Sequence, residues 1–82
     1  MSDWKSKVVL NSGEQLKHRR SKSKGFMGET DVENYDITDA QGEVIGSVTV
    51  EDHTAVRGLR RTISIEQRDA AGKIVVSESW TV

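Results

Sequence analysis

Three observations make this chain an all-β domain built as an antiparallel meander. The first is a period-two alternation over residues 43–80. Val44, Val48 and Val50 alternate with Ile45, Ser47, Thr49 and Glu51. Leu59, Ile63 and Ile65 alternate with Arg60, Thr62, Ser64 and Glu66, and Ile74, Val76 and Trp80 with Val75, Ser77, Ser79 and Thr81. Alternation of this kind marks a sheet with one apolar face and one wet face. The second is residue choice: ten Val, five Ile and six Thr outweigh three Leu and four Ala, a balance that favours strands over helices. The third is punctuation. Asp39-Ala40-Gln41-Gly42 and Asp69-Ala70-Ala71-Gly72 are four-residue connections closed by Gly, a common hairpin solution.

In chain order, residues 4–10 are expected to form a strand with Trp4, Val8 and Leu10 on one face and Lys5, Lys7 and Val9 on the other, ended by a turn at Asn11-Ser12-Gly13. Residues 15–20 are expected to run back as a second strand. A short helix is the competing reading, because Ser12 and Gln15 match a capping box, but no apolar stripe follows. Residues 21–31, with Ser21, Ser23, Gly25 and Gly28, read as a loop or a weakly paired edge. A strand over residues 32–38 then leads through the first Asp-to-Gly turn into the three strands already described. The result is a meander of five or six strands. It is expected to curl into a half-open barrel or to pair face to face with a second copy.

Eighty-two residues make one domain, residues 1–82, with a basic loop or edge segment at about 17–28. Leu, Ile, Val and Phe together number 19, just above the ~20% level below which disorder sets in, so the core is expected to be lean. Trp80 falls on the apolar face with Ile74 and Val76, which are expected to be buried beside it. Trp4, at the other end of the chain, packs against it if the first and last strands are neighbours. No cysteine is present, which excludes disulfides and thiolate metal sites. The opening Met-Ser-Asp-Trp-Lys-Ser-Lys lacks the apolar run of a secretory signal, and no stretch approaches ~20 apolar residues. A cytoplasmic protein without a membrane span is the expectation.

Net charge is −1, yet its distribution is uneven. Residues 1–24 hold seven bases and two acids, residues 25–56 eight acids and no Lys or Arg, and residues 57–82 five bases and three acids. The densest basic run is Lys17, Arg19, Arg20, Lys22 and Lys24, followed at once by Gly25-Phe26-Met27-Gly28. Cations at this density with an aromatic alongside suit a phosphate backbone and one stacked base. The plainer reading is a solvated segment whose charge offsets the acidic third. Arg57, Arg60 and Arg61 form a second basic group, which either extends the same positive surface or pairs with Glu51 and Asp52 across the hairpin. Among the acids, Asp31, Glu33 and Asp36 lack the spacing of a calcium loop. Mimicry of nucleic acid would require the acids to share one surface.

Catalysis has little to stand on. In Glu51-Asp52-His53, Glu51 and His53 share a strand face and Asp52 does not. Two side chains do not make a zinc site, and no phosphate-cradling glycine loop is present. The chain therefore reads as a non-enzymatic binding module without cofactor or metal, using Lys17, Arg19, Arg20, Lys22, Lys24, Phe26, Arg57, Arg60 and Arg61 on a nucleic acid or another polyanion. The alternative is a protein-interaction protein, a homodimer or a small inhibitor or accessory protein, acting through its apolar sheet face or its acidic surface.

Overall fold

Five strands lie in one sheet in their order along the chain, each antiparallel to the next: β1 (Gln15–Lys24), β2 (Gly28–Thr38), β3 (Val44–Ala55), β4 (Arg61–Asp69) and β5 (Ile74–Thr81). The structure is a computed structural model and describes residues 4–24, 28–55 and 60–81, with the backbone alone at 24, 28 and 29. The sheet is an open meander, so β1 and β5 are its free edges.

The two Asp-to-Gly hairpins form as expected, and by the same chemistry. Asp39 Oδ1 accepts the amides of Gln41 and Glu43, and Asp69 Oδ1 those of Ala71 and Lys73, all at 2.9 Å. Gly42 and Gly72 supply the left-handed residue, at φ 83° and 84°. Gly13 does likewise at φ 84° in a turn closed from Glu14 N–H to Asn11 O. That conformation rules out the helix that Ser12 and Gln15 suggested, and β1 follows instead. The segment read as a loop or loose edge is largely paired strand: β1 runs to Lys24 and β2 starts at Gly28.

Cross-strand register sorts the side chains into rows. On the inner face one row runs His18, Tyr35, Val48, Gln67, Val76. The next runs Ser21, Glu33, Val50, Ile65, Glu78, and a third Ser23, Asp31, Asp52, Ile63, Trp80. Ile37, Val48, Val50, Ile63 and Ile65 form the core, with Trp4, Val8, Leu16, Tyr35, Ile45 and Trp80 packed against it. Gly46, facing Ile37, lies so close to β4 that an added Cβ would sit 2.7 Å from the Arg68 carbonyl oxygen.

Two residues expected on the buried face are exposed, Val44 at 60% and Ile74 at 47%. Each lies beside a register shift, at Ile37/Thr38 and at Gln67/Arg68, where the alternation changes phase. Trp80 is half-buried against the core, as its face required, and Val76 is half-buried too. Leu59 lies outside the described residues.

Residues 4–10 are not a sixth strand. Trp4–Lys7 is a single 3₁₀ turn, and the chain then crosses the inner face as a strap. Gln67 holds it in both directions: its Oε1 accepts the Val9 N–H and its Nε2 donates to the Val9 carbonyl, both at 2.9 Å. The Trp4 ring lies 5.0 Å from that of Tyr35, and Lys7 sits 5.6 Å over the Trp80 ring and 3.6 Å from Glu78. The physical reason is coverage. A sheet this small leaves its apolar face open, and a crossing segment buries Trp4 and Val8 there, whereas an added edge strand would only widen the sheet. Trp4 therefore packs on Tyr35 rather than on Trp80. Val48, Ile63 and Ile65 are at most 2% exposed within the single chain, so covering this face does not require a second copy.

Candidate nucleic-acid interface

The basic run of the sequence is edge strand β1, and one irregularity decides where its charges point. His18 pairs with Tyr35 and the next pair is Arg20 with Asn34, so Arg19 is an extra residue, a β-bulge. In a regular strand residues 18 and 21 would face opposite ways. Here both are on the inner face: the Glu33 carboxylate accepts a bond from Ser21 Oγ at 2.5 Å and holds His18 Nε2 at 2.5 Å, and Ser23 Oγ donates to Asp31 at 2.8 Å. The parity change brings the cations together. Lys17 lies opposite Asp36 on the outer face, and Arg19 reaches that same Asp36 at 3.8 Å. Arg20 and Lys22 lie opposite Asn34 and Val32, also outward. Lys24 continues the register opposite Thr30. Without the extra residue, Lys17 and the Arg20–Lys22 pair would take opposite faces.

Lys17, Arg19, Arg20 and Lys22 are all exposed. Arg19 has the loose contact to Asp36; Lys17, Arg20 and Lys22 make no ion pair among the described residues. The adjoining outer row of β2 is Thr30, Val32 and Asn34, uncharged, with Asp36 at one end. Alternation carries Asp31, Glu33 and Asp52 to the opposite face. The acids thus do not share one surface: Asp36 and Glu51 face outward, while Asp39 and Glu43 flank a turn. Sheet geometry leaves the outer edge strongly positive in a chain of net charge −1.

The second basic group does not join this edge. Arg61 grips Asp52 on the inner face with two bonds, Nε to Oδ1 at 2.8 Å and Nη2 to Oδ2. The hydrogen bond from Arg61 is the main cause that holds the Asp52 carboxyl below its usual range. Arg60 is exposed and closes the β3–β4 connection by accepting the Ala55 N–H at 2.9 Å. Both lie three strand spacings, roughly 14 Å, from β1. Arg57 and Phe26 lie outside the described residues.

His18, Ser21 and Glu33 resemble a nucleophile relay only in composition. Ser21 Oγ is 3.0 Å from His18 Nε2, the same nitrogen that meets Glu33, whereas a relay needs base and orienting acid on different ring nitrogens. What the cluster does is pull the Glu33 carboxyl down, first through Ser21 and then through His18. His53, on the outer face with Glu51, is bonded to Thr30 Oγ1 at 2.6 Å. A cavity of about 290 Å³ lies on the inner face between Trp4, Asp31, Glu33, Asp52 and Arg61, and each of its carboxylates already has a partner. Among the described residues no three His, Cys, Asp or Glu side chains come together to hold a metal, and no helix is long and apolar enough to cross a membrane.

Reading the sequence located the basic run but not its bulge. One signal was present. Lys17 and Arg19 occupy odd positions, Arg20, Lys22 and Lys24 even ones; five cations that change parity midway share a face only if the strand gains a residue at the change. Comparison with protein families, with curated proteins and with solved structures returns no match to this chain.

Proposed function

We propose that this chain is a non-enzymatic binding module that holds a nucleic acid or a related polyanion along the outer side of β1. The observation that carries the reading is the Arg19 bulge, which aligns Lys17, Arg19, Arg20 and Lys22 on one exposed strand side while the acids next to them in sequence turn inward. Alternate strand residues are about 6.7 Å apart, a spacing that lets successive cations meet successive phosphates. Guanidinium groups add paired donors for phosphate oxygens. The reading carries a cytoplasmic setting with it, compatible with a chain that has no cysteine.

The test is binding of the full chain to labelled nucleic acid and to heparin across a salt series, beside Arg19→Ala with Arg20→Ala. Binding that weakens steeply with salt and drops in the double variant, at unchanged thermal unfolding, supports the proposal. Full-strength binding by a folded double variant defeats it.

A second reading has one observation in its favour. Val9, Leu10, Val44, Ile74 and Val75 are exposed. Val9 and Val75 line one small hollow with Ile37 and Ile45, a surface suited to a protein partner. Sedimentation of wild type against Val75→Lys tests it: self-association lost in the variant would support this surface as a contact.

A further inference from the structure

Resting on the polyanion reading, we infer that the ligand of β1 is duplex nucleic acid, held along one phosphate backbone without regard to sequence. The placement of aromatic rings is the first ground. Single-strand binders stack bases on exposed aromatics. Here Trp4, Tyr35 and Trp80 all belong to the inner face. Trp4 is packed on Tyr35, Tyr35 meets the His18 ring edge-on at 5.2 Å, and Trp80 lies beneath Lys7. Among the described residues, the outer face carries no Phe, Tyr or Trp, and its His53 ring is half-buried on β3 and bonded to Thr30 Oγ1. Its contribution to binding is therefore charge and hydrogen bonding, the terms that act on a backbone.

The width of the positive strip is the second ground. It is one strand wide. The next row, Thr30, Val32 and Asn34, is uncharged, and the row beyond places Glu51 directly across from Val32. A second phosphate line over β3 would meet that carboxylate. One backbone fits along β1, and with the strip's cations committed to that backbone, affinity is set by charge density. Duplex DNA presents one charge per ~1.7 Å of axis against ~3.4 Å for one strand, and the salt slope per contact is about 0.9 against 0.7. Four contacts then give slopes of about −3.6 and −2.8 and, for two lines that meet at 1 M salt, a duplex preference of about sixfold near 0.1 M salt.

The experiment is fluorescence anisotropy of the full chain with a labelled duplex of mixed sequence, its isolated single strand, a second duplex of unrelated sequence, and heparin as competitor. Expected are tighter binding to duplex than to single strand by about sixfold, equal affinity for the two duplexes, and no change on Phe26→Ala. Equal or tighter single-strand binding, or loss of binding in the Phe26→Ala variant, overturns the duplex inference and leaves the polyanion reading standing. Binding to heparin alone does the same. Absence of binding to every polyanion at low salt removes both. Arg20→Ala, checked for unchanged thermal unfolding, is expected to flatten the duplex salt slope by about 0.9; an unchanged slope takes the contact away from β1.

Discussion

Replacing Gln67 by Leu tests how the fold closes. Gln67 is 5% exposed and follows Ile63 and Ile65 on the inner face of β4, between Val48 and Val76 across the sheet. Its amide spends both of its functions on the backbone of Val9. Leu keeps much of the volume and removes both bonds. Each bond is worth about 0.5–1.5 kcal/mol net, so the expected loss is about 1–3 kcal/mol. Val9 is itself more than half exposed, so water partly replaces the lost partners and the lower half of that range applies. A domain of this size holds about 4–12 kcal/mol in all, and about 1.5 kcal/mol moves the midpoint by roughly 10 °C. Thermal unfolding followed by tryptophan emission is the assay. It reads the right place, because the only two tryptophans, Trp4 and Trp80, both pack on the core that the strap crosses. Faster amide exchange at Val9 should accompany the loss. An unchanged midpoint and unchanged emission would refute the strap as the closure of the inner face.

Two further outcomes follow from single contacts. Gly46→Ala is expected to cost about 1–3 kcal/mol by forcing β3 from the Arg68 carbonyl, which an added methyl would approach to 2.7 Å; an unchanged urea midpoint would show that the strand gives way freely. The Asp52 carboxyl is held below its usual range by Arg61, so its folded value lies under its unfolded one, about 3.9. Its contribution to stability is full above that unfolded value and is lost as pH falls through the lowered folded value. Asp52→Asn should therefore flatten the fall in stability below about pH 4. Parallel acid limbs for variant and wild type, in urea midpoints measured against pH, would count against the pair.

The strands were legible because alternation and turn chemistry are local. Val48, Ile63 and Ile65 announce their face by position alone, and Asp39 and Asp69 carry their turn bonds in their own side chains. What escaped the sequence was set by other strands. Val44 and Ile74 obey the period but lie beside register shifts fixed by their neighbours. Residues 4–10 alternate as a strand would, yet Gln67, 58 residues away, recruits Val9 across the face instead. The site was half legible. The density of Lys17, Arg19, Arg20, Lys22 and Lys24 is visible in the letters, and the pairing of Arg61 with Asp52 was one of two readings the letters left open, decided by the β3–β4 register.

The charge on β1 has a competing structural explanation, and the opposite edge of the same sheet weighs against it. Cations and a bulge are both devices that keep an edge strand from pairing with another chain. If edge protection were the whole reason for them, β5 would need the same treatment. It is an edge of eight residues, Ile74–Thr81, with no Lys, Arg or Pro. Its one charge, Glu78, faces inward and is engaged by Lys7. The extra residue Val75 and that inward charge guard β5 without a single cation, so edge protection by itself does not require five on the other edge. Protection is also indifferent to which side of the strand a charge takes, since a charge on either side disturbs an incoming strand. The bulge is not indifferent: it turns Lys17, Arg19, Arg20 and Lys22 to one side and leaves His18 and Ser21 to bind Glu33 on the other. Gathering charge on one side is the arrangement that the proposed polyanion contact requires.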